Sequence, residues 1–313
     1  MELQKKELYK KYIREIEWAI KSPNIINEAY WETNSFNLNE WLEKIFIEFQ
    51  SKKSNINQNL LSALINNSKH QQRLGRYFET LLEGLFFVAL KINPIFKNIL
   101  IMNEKITTGE LDFILKNPFG TGFIHLETAI KFYLFSENDM LYWGPNGIDR
   151  LDLKLKQLKC HQIPLIKNNN SKAFLEEKKI HPIQSACLLK GYLFYHFSKP
   201  IIHDSLNKEI NSSHLKGWWA FVNELDPFFN AQATKSRWII LEKKDWIGPF
   251  QAEKSKIKVF TSSLIKDEIY NHFKSSNRSL MIIKLHEKTA STWGEISRGF
   301  IVKESWPNLT QTV

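Results

Sequence analysis

Cysteine is scarce in this chain of 313 residues, which contains only Cys160 and Cys187 and no Cys-x-x-Cys pair. This content excludes a disulfide-rich framework and the spaced Cys and His sets of a structural zinc site. Cys160 precedes His161, but neighbouring residues on a helix point about 100° apart, so the pair does not form a nucleophile and its base. We expect two reduced thiols in a cytoplasmic protein.

Long apolar runs are also missing, and glycine and proline are few. The longest apolar run, residues 81–90, is interrupted by Glu83, and it falls short of the roughly 20 residues that span a membrane. Twelve Gly and ten Pro are too few for a low-complexity chain, and no internal repeat is visible. The chain opens with MELQKKELYKKYIREIEW, which lacks the pattern of a signal peptide. We therefore expect a globular protein that has no membrane partner.

Acidic residues are the minority charge. The 33 Asp and Glu face 43 Lys and Arg, giving a formal net charge of +10. A surplus of this sign favours a polyanionic partner through the summed field of the protein. The composition is also rich in Asn and Ile, a bias that raises lysine content whatever the function. Ten Trp and 22 Phe could include rings that stack on bases, although most are expected in the core.

The most informative motif is Gly109-Glu110-Leu111-Asp112, followed after a turn at residues 118–122 by a second strand-like segment. Side chains alternate along a strand, so Glu127 and Lys131 share one face of that segment. Two carboxylates supply the hard oxygen ligands of Mg²⁺, and a lysine can orient the attacking water. The alternative is a solvated charge pair, which contributes only a few tenths of a kcal/mol.

The neighbours of these charges favour chemistry over a solvated pair. Apolar residues flank Asp112 and Glu127 on both sides, as in central strands buried on both faces. Charges in such runs are costly unless they are paired or bound to metal. Glu79 lies on a predicted apolar helix that precedes the strands. It either joins an exposed charge pattern with Arg76 or reaches the same metal.

The order of predicted elements divides the chain into three segments. Residues 1–69 form a helical N-terminal cap with helices at 3–21, 37–49 and 58–66. Residues 70–197 form an α/β core with a helix at 71–91, strands near 98–106, Asp112 and Glu127, a helix at 148–161 and a strand at 183–195. Residues 198–313 form a mixed α/β C-terminal extension with short strands at 238–241, 279–285 and 300–303.

A helix-borne Glu, then Gly-x-x-Asp, then a strand with Glu and Lys resembles the PD-(D/E)XK nucleases. The resemblance implies a restriction-endonuclease-like core, in which a central mixed sheet is flanked by helices. Gly109 to Asp112 are similar to the Gly-x-x-Asp motif of Holliday-junction resolvases and RecB-type nuclease domains. The chain departs from the pattern at residue 129, which is Ala. The lysine occurs two places later as Lys131, about 6–7 Å further along the strand.

A second resemblance rests on stretches that span most of the chain: LGRYFETL (74–81), GELDFIL (109–115), HLETAIKFYL (125–134), WGPNGIDRLDLKLKQL (143–158), GYLFY (191–195), GWW (217–219) and SRGFIVKESWP (297–307). Together they resemble the bacterial family called domain of unknown function 1853, which is grouped with these nucleases.

The nuclease resemblance implies a role for each candidate residue. Asp112 and Glu127 would ligate Mg²⁺ or Mn²⁺, with the carbonyl of Thr128 as a further ligand. Glu79 would hold a water beside the metal or a second metal, and Lys131 would orient the attacking water. Gln157 or Gln162 would contact phosphate. The other nucleic-acid contacts expected, chosen for their proximity to the motifs in sequence, are Arg76, Lys105, Arg150, Lys154 and Arg298.

Three functions therefore remain open from the sequence. The first is a metal-dependent DNA nuclease. The second is a catalytically weak or inactive relative that binds nucleic acid, because the lysine has moved. The third is a protein-interaction module on the same scaffold. His125 shares the face of Glu127 and is kept as a minor candidate, since a lone His is more often a satisfied core group. The sequence indicates no oligomeric state.

Overall fold

The computed structural model describes residues 2–28, 36–53, 73–90, 96–104, 106–199, 208–233 and 235–307. The helix predicted at 58–66 and the candidate Lys105 lie outside these residues. The fold is mixed α/β, with a large mixed sheet flanked by helices.

Seven α-helices are described. They are α1 (Glu2–Lys21), α2 (Leu38–Lys52), α3 (Leu74–Leu90), α4 (Leu151–Gln157), α5 (Asn169–Glu177), α6 (Leu225–Asn230) and α7 (Ser262–Ser275). Within the described residues, no helix is both long and apolar enough to cross a membrane.

Ten strands are described. They are β1 (Phe96–Asn103), β2 (Ile106–Lys116), β3 (Phe123–Ser136), β4 (Leu141–Trp143), β5 (Ile183–His196), β6 (Leu215–Phe221), β7 (Arg237–Ile240), β8 (Gln251–Glu253), β9 (Leu280–Thr289) and β10 (Thr292–Val302).

The backbone contacts divide the chain into two compact units. The first comprises residues 1–130, 155–190 and 207–211, and the second comprises residues 131–154, 191–206 and 212–313. Strands β3 and β5 each begin in the first unit and end in the second. This division does not coincide with the segments 1–69, 70–197 and 198–313 expected from the sequence.

The first unit contains an antiparallel meander, in which β1 pairs with β2 and β2 pairs with β3. Helices α1, α2 and α3 pack on one another in this unit. The apolar spacing predicted for α3 is confirmed, because its buried residues recur three and four positions apart: Phe78, Leu81, Leu82, Leu85 and Phe86. Asn37 caps the start of α2, since its side chain accepts the backbone N–H of Glu40.

The second unit is built on parallel and antiparallel strand pairs. β6 pairs in parallel with β10, and β9 pairs antiparallel with both β10 and β7. A cluster that includes Phe228, Trp238, Ile269 and Ile301 forms the core between these strands and helices α6 and α7. Trp238 is completely buried. This placement agrees with the expectation that most tryptophans are core residues.

Several sequence predictions need correction in detail. The helix predicted at 148–161 begins only at Leu151. It ends as α4 at Gln157 and continues as a wider π-helical turn from Leu158 to Gln162. The strand predicted at 300–303 is much longer, because β10 extends from Thr292 to Val302 and pairs with β9 over most of its length. The polar residues at the start of β10 concealed that hairpin in the sequence.

Candidate functional site

The two carboxylates of the motif meet where β2 and β3 stop pairing. The antiparallel register runs from Lys116 opposite Phe123 to Phe113 opposite Leu126. One further step would place Asp112 opposite Glu127, and directly opposite residues point to the same face. Beyond Phe113 and Leu126, hydrogen bonds from backbone to side chain take the place of the backbone pairing between the two strands.

Asp112 accepts two hydrogen bonds from one residue of the neighbouring strand. The backbone N–H and the hydroxyl of Thr128 both donate to Oδ2, at 2.8 and 3.2 Å. The backbone N–H of Asp112 in turn donates to Oε1 of Glu127 over 3.5 Å. None of the residues that the structure describes donates a hydrogen bond to Oδ1 of Asp112. One oxygen of this carboxylate is therefore available to a ligand.

Glu127 is completely buried, and neutral side chains and an imidazole hold it in place. Nε2 of His125 lies 2.8 Å from Oε1, and the Gln162 amide donates to Oε2 at 2.8 Å. The other ring nitrogen of His125, Nδ1, lies 3.3 Å from Oγ of Ser185 on β5. These contacts fix the carboxylate, because both of its oxygens and both ring nitrogens are engaged.

The electrostatics of Asp112 are those of a carboxylate beside other carboxylates. Burial first, and then the charge of Glu127, raise the pKa of Asp112 to about 7, with a further contribution from Glu79. The two hydrogen bonds from Thr128 act in the opposite direction. A carboxyl group that is hard to ionise next to a second carboxylate is the situation that a bound cation relieves.

Glu79 lies on α3 and contributes to the same negative field. Its Oε2 accepts a hydrogen bond of 3.3 Å from the Asn98 side chain on β1. Burial raises the pKa of Glu79, and Glu110 adds to the rise, whereas Lys97 and Arg76 oppose it. The helix-borne carboxylate predicted from the sequence is thus close enough to affect the ionisation of Asp112.

The donor set suits a small hard cation held partly by water. Two carboxylates and the backbone carbonyl of Thr128 would supply oxygen ligands, and Mg²⁺ commonly uses one or two carboxylates together with waters and substrate phosphate. Among the described residues, no three His, Cys, Asp or Glu side chains gather into a complete metal-binding set. Asp112 and Glu127 could therefore hold such an ion only with help from backbone, water or substrate.

Lys131 is engaged elsewhere. Its ammonium donates to Oδ2 of Asp149, which also accepts a hydrogen bond of 3.2 Å from the Tyr133 hydroxyl. Both Lys131 and Asp149 belong to the second unit. In the described part of the chain, no lysine forms an ion pair with Asp112 or Glu127. The lysine role expected for Lys131 therefore gains no support from its contacts.

Three of the expected nucleic-acid contacts differ in how far their side chains are exposed to solvent. Arg76 and Gln157 are exposed, whereas Lys154 is half-buried. Gln157 ends α4, and the glutamine that reaches the carboxylates is Gln162, one turn later. The sequence allowed either glutamine, and the π-helical turn is what brings the second one to Glu127.

Two of the three expected arginine contacts are held by acidic residues. Arg150 donates two hydrogen bonds to Asp152 and lies over the ring of Trp143. Arg298 is only 1% exposed and donates two hydrogen bonds to Glu295. The assignment of Arg298 to nucleic-acid contact is therefore corrected, because a guanidinium buried on β10 does not present itself to a phosphate backbone.

Asp112, His125, Glu127, Thr128, Gln162 and Ser185 are joined by hydrogen bonds and form the Asp112–Glu127 group. Sequence reasoning missed one of them. Ser185 lies on β5, sixty positions after its partner His125, and no local pattern marks it. His125 itself had a signal, since it alternates onto the face of Glu127, but a lone histidine is usually a core group.

The chain belongs to the family described as "Domain of unknown function (DUF1853)", whose profile matches residues 14–302. The match covers nearly the whole chain, including every residue of the Asp112–Glu127 group. Comparisons with curated proteins and with solved structures gave no match.

Proposed function

We propose that this member of the DUF1853 family is a metal-dependent nuclease that hydrolyses phosphodiester bonds of DNA. One observation carries the proposal. Asp112 and Glu127 meet at the end of the β2–β3 pairing, and no cationic side chain of the described residues neutralises Asp112. Placing two carboxylates together in this way costs folding free energy, and a divalent cation would recover it.

The order of elements in the first part of the chain supports the proposal. A helix (α3), a three-stranded meander (β1 to β3), the short strand β4, two helices (α4 and α5) and a further strand (β5) follow one another. With β4 and α5 as additions, this matches the order of the core that the PD-(D/E)XK nucleases share, and the sequence motif resembles theirs at Gly109, Asp112 and Glu127. We therefore propose a restriction-endonuclease-like core for this part of the chain.

Each residue of the group has a physical role in the proposal. Asp112, Glu127 and the Thr128 carbonyl would hold the ion, and a bound Mg²⁺ or Mn²⁺ lowers the pKa of a water and shields phosphate charge. His125 and Gln162 fix the Glu127 carboxylate through one oxygen each. Glu79 adds negative charge near Asp112, which strengthens the attraction for a divalent ion.

A second candidate function rests on the position and the contacts of Lys131. Residue 129 is Ala, and the ammonium of Lys131 is bound to Asp149. These two observations favour a relative that binds nucleic acid with weak or no cleavage. The nuclease proposal therefore depends on the carboxylate pair and not on Lys131.

A cleavage assay separates these functions. Purified protein is incubated with single-stranded, double-stranded and branched DNA and with RNA, in Mg²⁺, in Mn²⁺ and in EDTA. We expect metal-dependent cleavage by the wild type and a loss of roughly 10²-fold or more in Asp112→Asn and Glu127→Gln. Glu176→Gln, an exposed change on α5, is the matched control and should retain activity.

Lys131→Met completes the set. A variant as active as the wild type would show that the lysine takes no part, and an inactive one would assign it a role. Binding without cleavage by the wild type would support the second candidate. Cleavage that persists in both carboxylate variants would contradict the proposed site.

A further inference from the structure

A cleft of about 680 Å³ opens in the second unit, apart from the residues discussed so far. One wall is a face of α7, on which Asp267, Tyr270, Asn271 and Lys274 recur three and four positions apart. The segment after β10 supplies Lys303 and Glu304 to the lining. The cleft opens widely to solvent.

The charges around this cleft do not neutralise one another. Two are cationic and two are anionic, yet no ion pair joins Lys274 or Lys303 to Asp267 or Glu304 within the residues that the structure describes. The two ammonium groups instead donate to amide oxygens, Lys274 to Asn271 and Lys303 to Asn277. Elsewhere in this unit several surface charges do pair with an opposite charge, for example Lys266 with Asp226. Charges that converge on a cleft without pairing remain available to a ligand.

The two carboxylates in the cleft accept few hydrogen bonds. Oε1 of Glu304 accepts only the backbone N–H of Asn223, at 2.8 Å, and Asp267 accepts no hydrogen bond from any described residue. The ring of Tyr270 is half-buried, and Phe273 and Val222 complete an apolar part of the lining. The cleft thus combines cations, acceptors and an aromatic face.

We propose that this cleft binds a nucleoside monophosphate. Lys274 and Lys303 would bind the phosphate, since ammonium groups form charge-assisted hydrogen bonds with phosphate oxygens. The Tyr270 ring, which packs against the core of this unit and also lines the cleft, would provide the surface on which the base stacks. Asp267 and Asn271 would recognise the base edge, because a carboxylate accepts from an exocyclic amino group and an amide side chain can both donate and accept. A bare phosphate ion would leave the ring and the carboxylates unused.

Isothermal titration calorimetry of the full chain with AMP, CMP, GMP, UMP, inorganic phosphate and a dipeptide measures the Kd of each and tests the proposal. We expect saturable binding of the amino-bearing nucleotides AMP, CMP and GMP, and weaker binding of UMP and of phosphate. Lys274→Ala should raise Kd roughly tenfold. Lys266→Ala, on the same helix and outside the cleft, is the matched control and should leave Kd unchanged.

Two substitutions of the tyrosine separate stacking from folding. Tyr270→Phe keeps the ring and should bind like the wild type, whereas Tyr270→Leu should lose most of the affinity. Because Tyr270 packs against the core of this unit, circular dichroism at the assay temperature checks that the leucine variant is folded. No nucleotide binding, or binding that Lys274→Ala and Tyr270→Leu leave unchanged, would overturn the proposal. Binding of phosphate as tight as that of AMP would also overturn it in favour of a plain anion site, and preferential binding of the dipeptide would overturn it in favour of a peptide site.

Discussion

At the scale of single residues, strand alternation was sufficient to predict that Asp112 and Glu127 would come together. Their proximity is shown one step beyond the β2–β3 pairing, where the backbone N–H of Asp112 donates to Oε1 of Glu127. Alternation could not predict that Thr128 would bind Asp112 or that Gln162 would bind Glu127, since these contacts depend on where the strands part and on a π-helical turn. It placed Lys131 on the correct strand but could not reveal the competing partner Asp149.

Burial and the charge of Glu127 predict that ionisation of Asp112 destabilises the folded protein. The pKa of Asp112 is raised to about 7 in the folded protein, against an ordinary value of 3.8. Its contribution to stability is thus present below the ordinary value and is lost as pH rises through about 7. In EDTA at about pH 8, Asp112→Asn should therefore increase the free energy of unfolding, by ~2 kcal/mol after allowance for solvent.

Urea denaturation of the wild type and the variant, measured at several pH values, checks this effect. The difference should shrink as pH falls and level off below about pH 3, where Asp112 is protonated in both the folded and the unfolded protein. Glu176→Gln should show no such trend. A variant that is less stable than the wild type at every pH would show that Asp112 stabilises the fold instead.

At the scale of elements, a buried lysine joins β5 to the end of α1. The ammonium of Lys190 donates to the carbonyl of Ser22, the residue that follows α1, and the charge of Glu28 acts on it favourably. A cation at a helix C-terminus is favourable. The sequence predicted both elements but not this contact, because Lys190 lies in an apolar strand and Ser22 lies 168 positions earlier.

This lysine predicts a rise of stability with pH. Burial lowers the pKa of Lys190 to about 7, from an ordinary value of 10.5, while Glu28 opposes the shift. A lowered pKa means that the stabilising contribution is complete above the ordinary value and is lost as pH falls to about 7. Between these values the wild type should gain ~3 kcal/mol relative to Lys190→Met.

Paired denaturation curves of the wild type and Lys190→Met across this pH range test the prediction. Taking the difference between the two proteins removes the titration of the other lysines and tyrosines. Lys284→Met, which removes a partly exposed lysine that contacts Gln232, serves as the control. Parallel pH profiles for the wild type and Lys190→Met would mean that the ammonium is solvated in the folded protein.

At the scale of the whole molecule, the net charge of +10 was known from the sequence, but its distribution was not. Of the candidate cations, Arg298 is buried against Glu295, Arg150 is held by Asp152, and Arg76 is exposed. Sequence proximity to a motif does not show whether a side chain faces solvent or an acidic partner. That information depends on contacts between residues far apart in the chain.

Nucleic-acid binding, if the proposed function holds, should weaken as salt increases. Each phosphate contact releases counterions, which gives a slope of about −0.9 per contact in a plot of log affinity against log salt for duplex DNA. Arg76→Ala should make that slope less negative by roughly one. Lys288→Ala, which removes an exposed cation bound to Gln251, should leave it unchanged. Fluorescence anisotropy with labelled DNA provides the measurement, and a salt-independent affinity would contradict a phosphate-binding surface.

The central claim is that Asp112 and Glu127 share a divalent cation, and Mn²⁺ binding tests it most directly. Electron paramagnetic resonance at about pH 8, where Asp112 is largely ionised, measures free Mn²⁺ in titrations of four proteins. The account predicts one bound ion in the wild type and in Glu176→Gln, with affinity reduced at least about tenfold in Asp112→Asn and in Glu127→Gln. Equal Mn²⁺ affinity in all four proteins, or no bound ion in any of them, would contradict it.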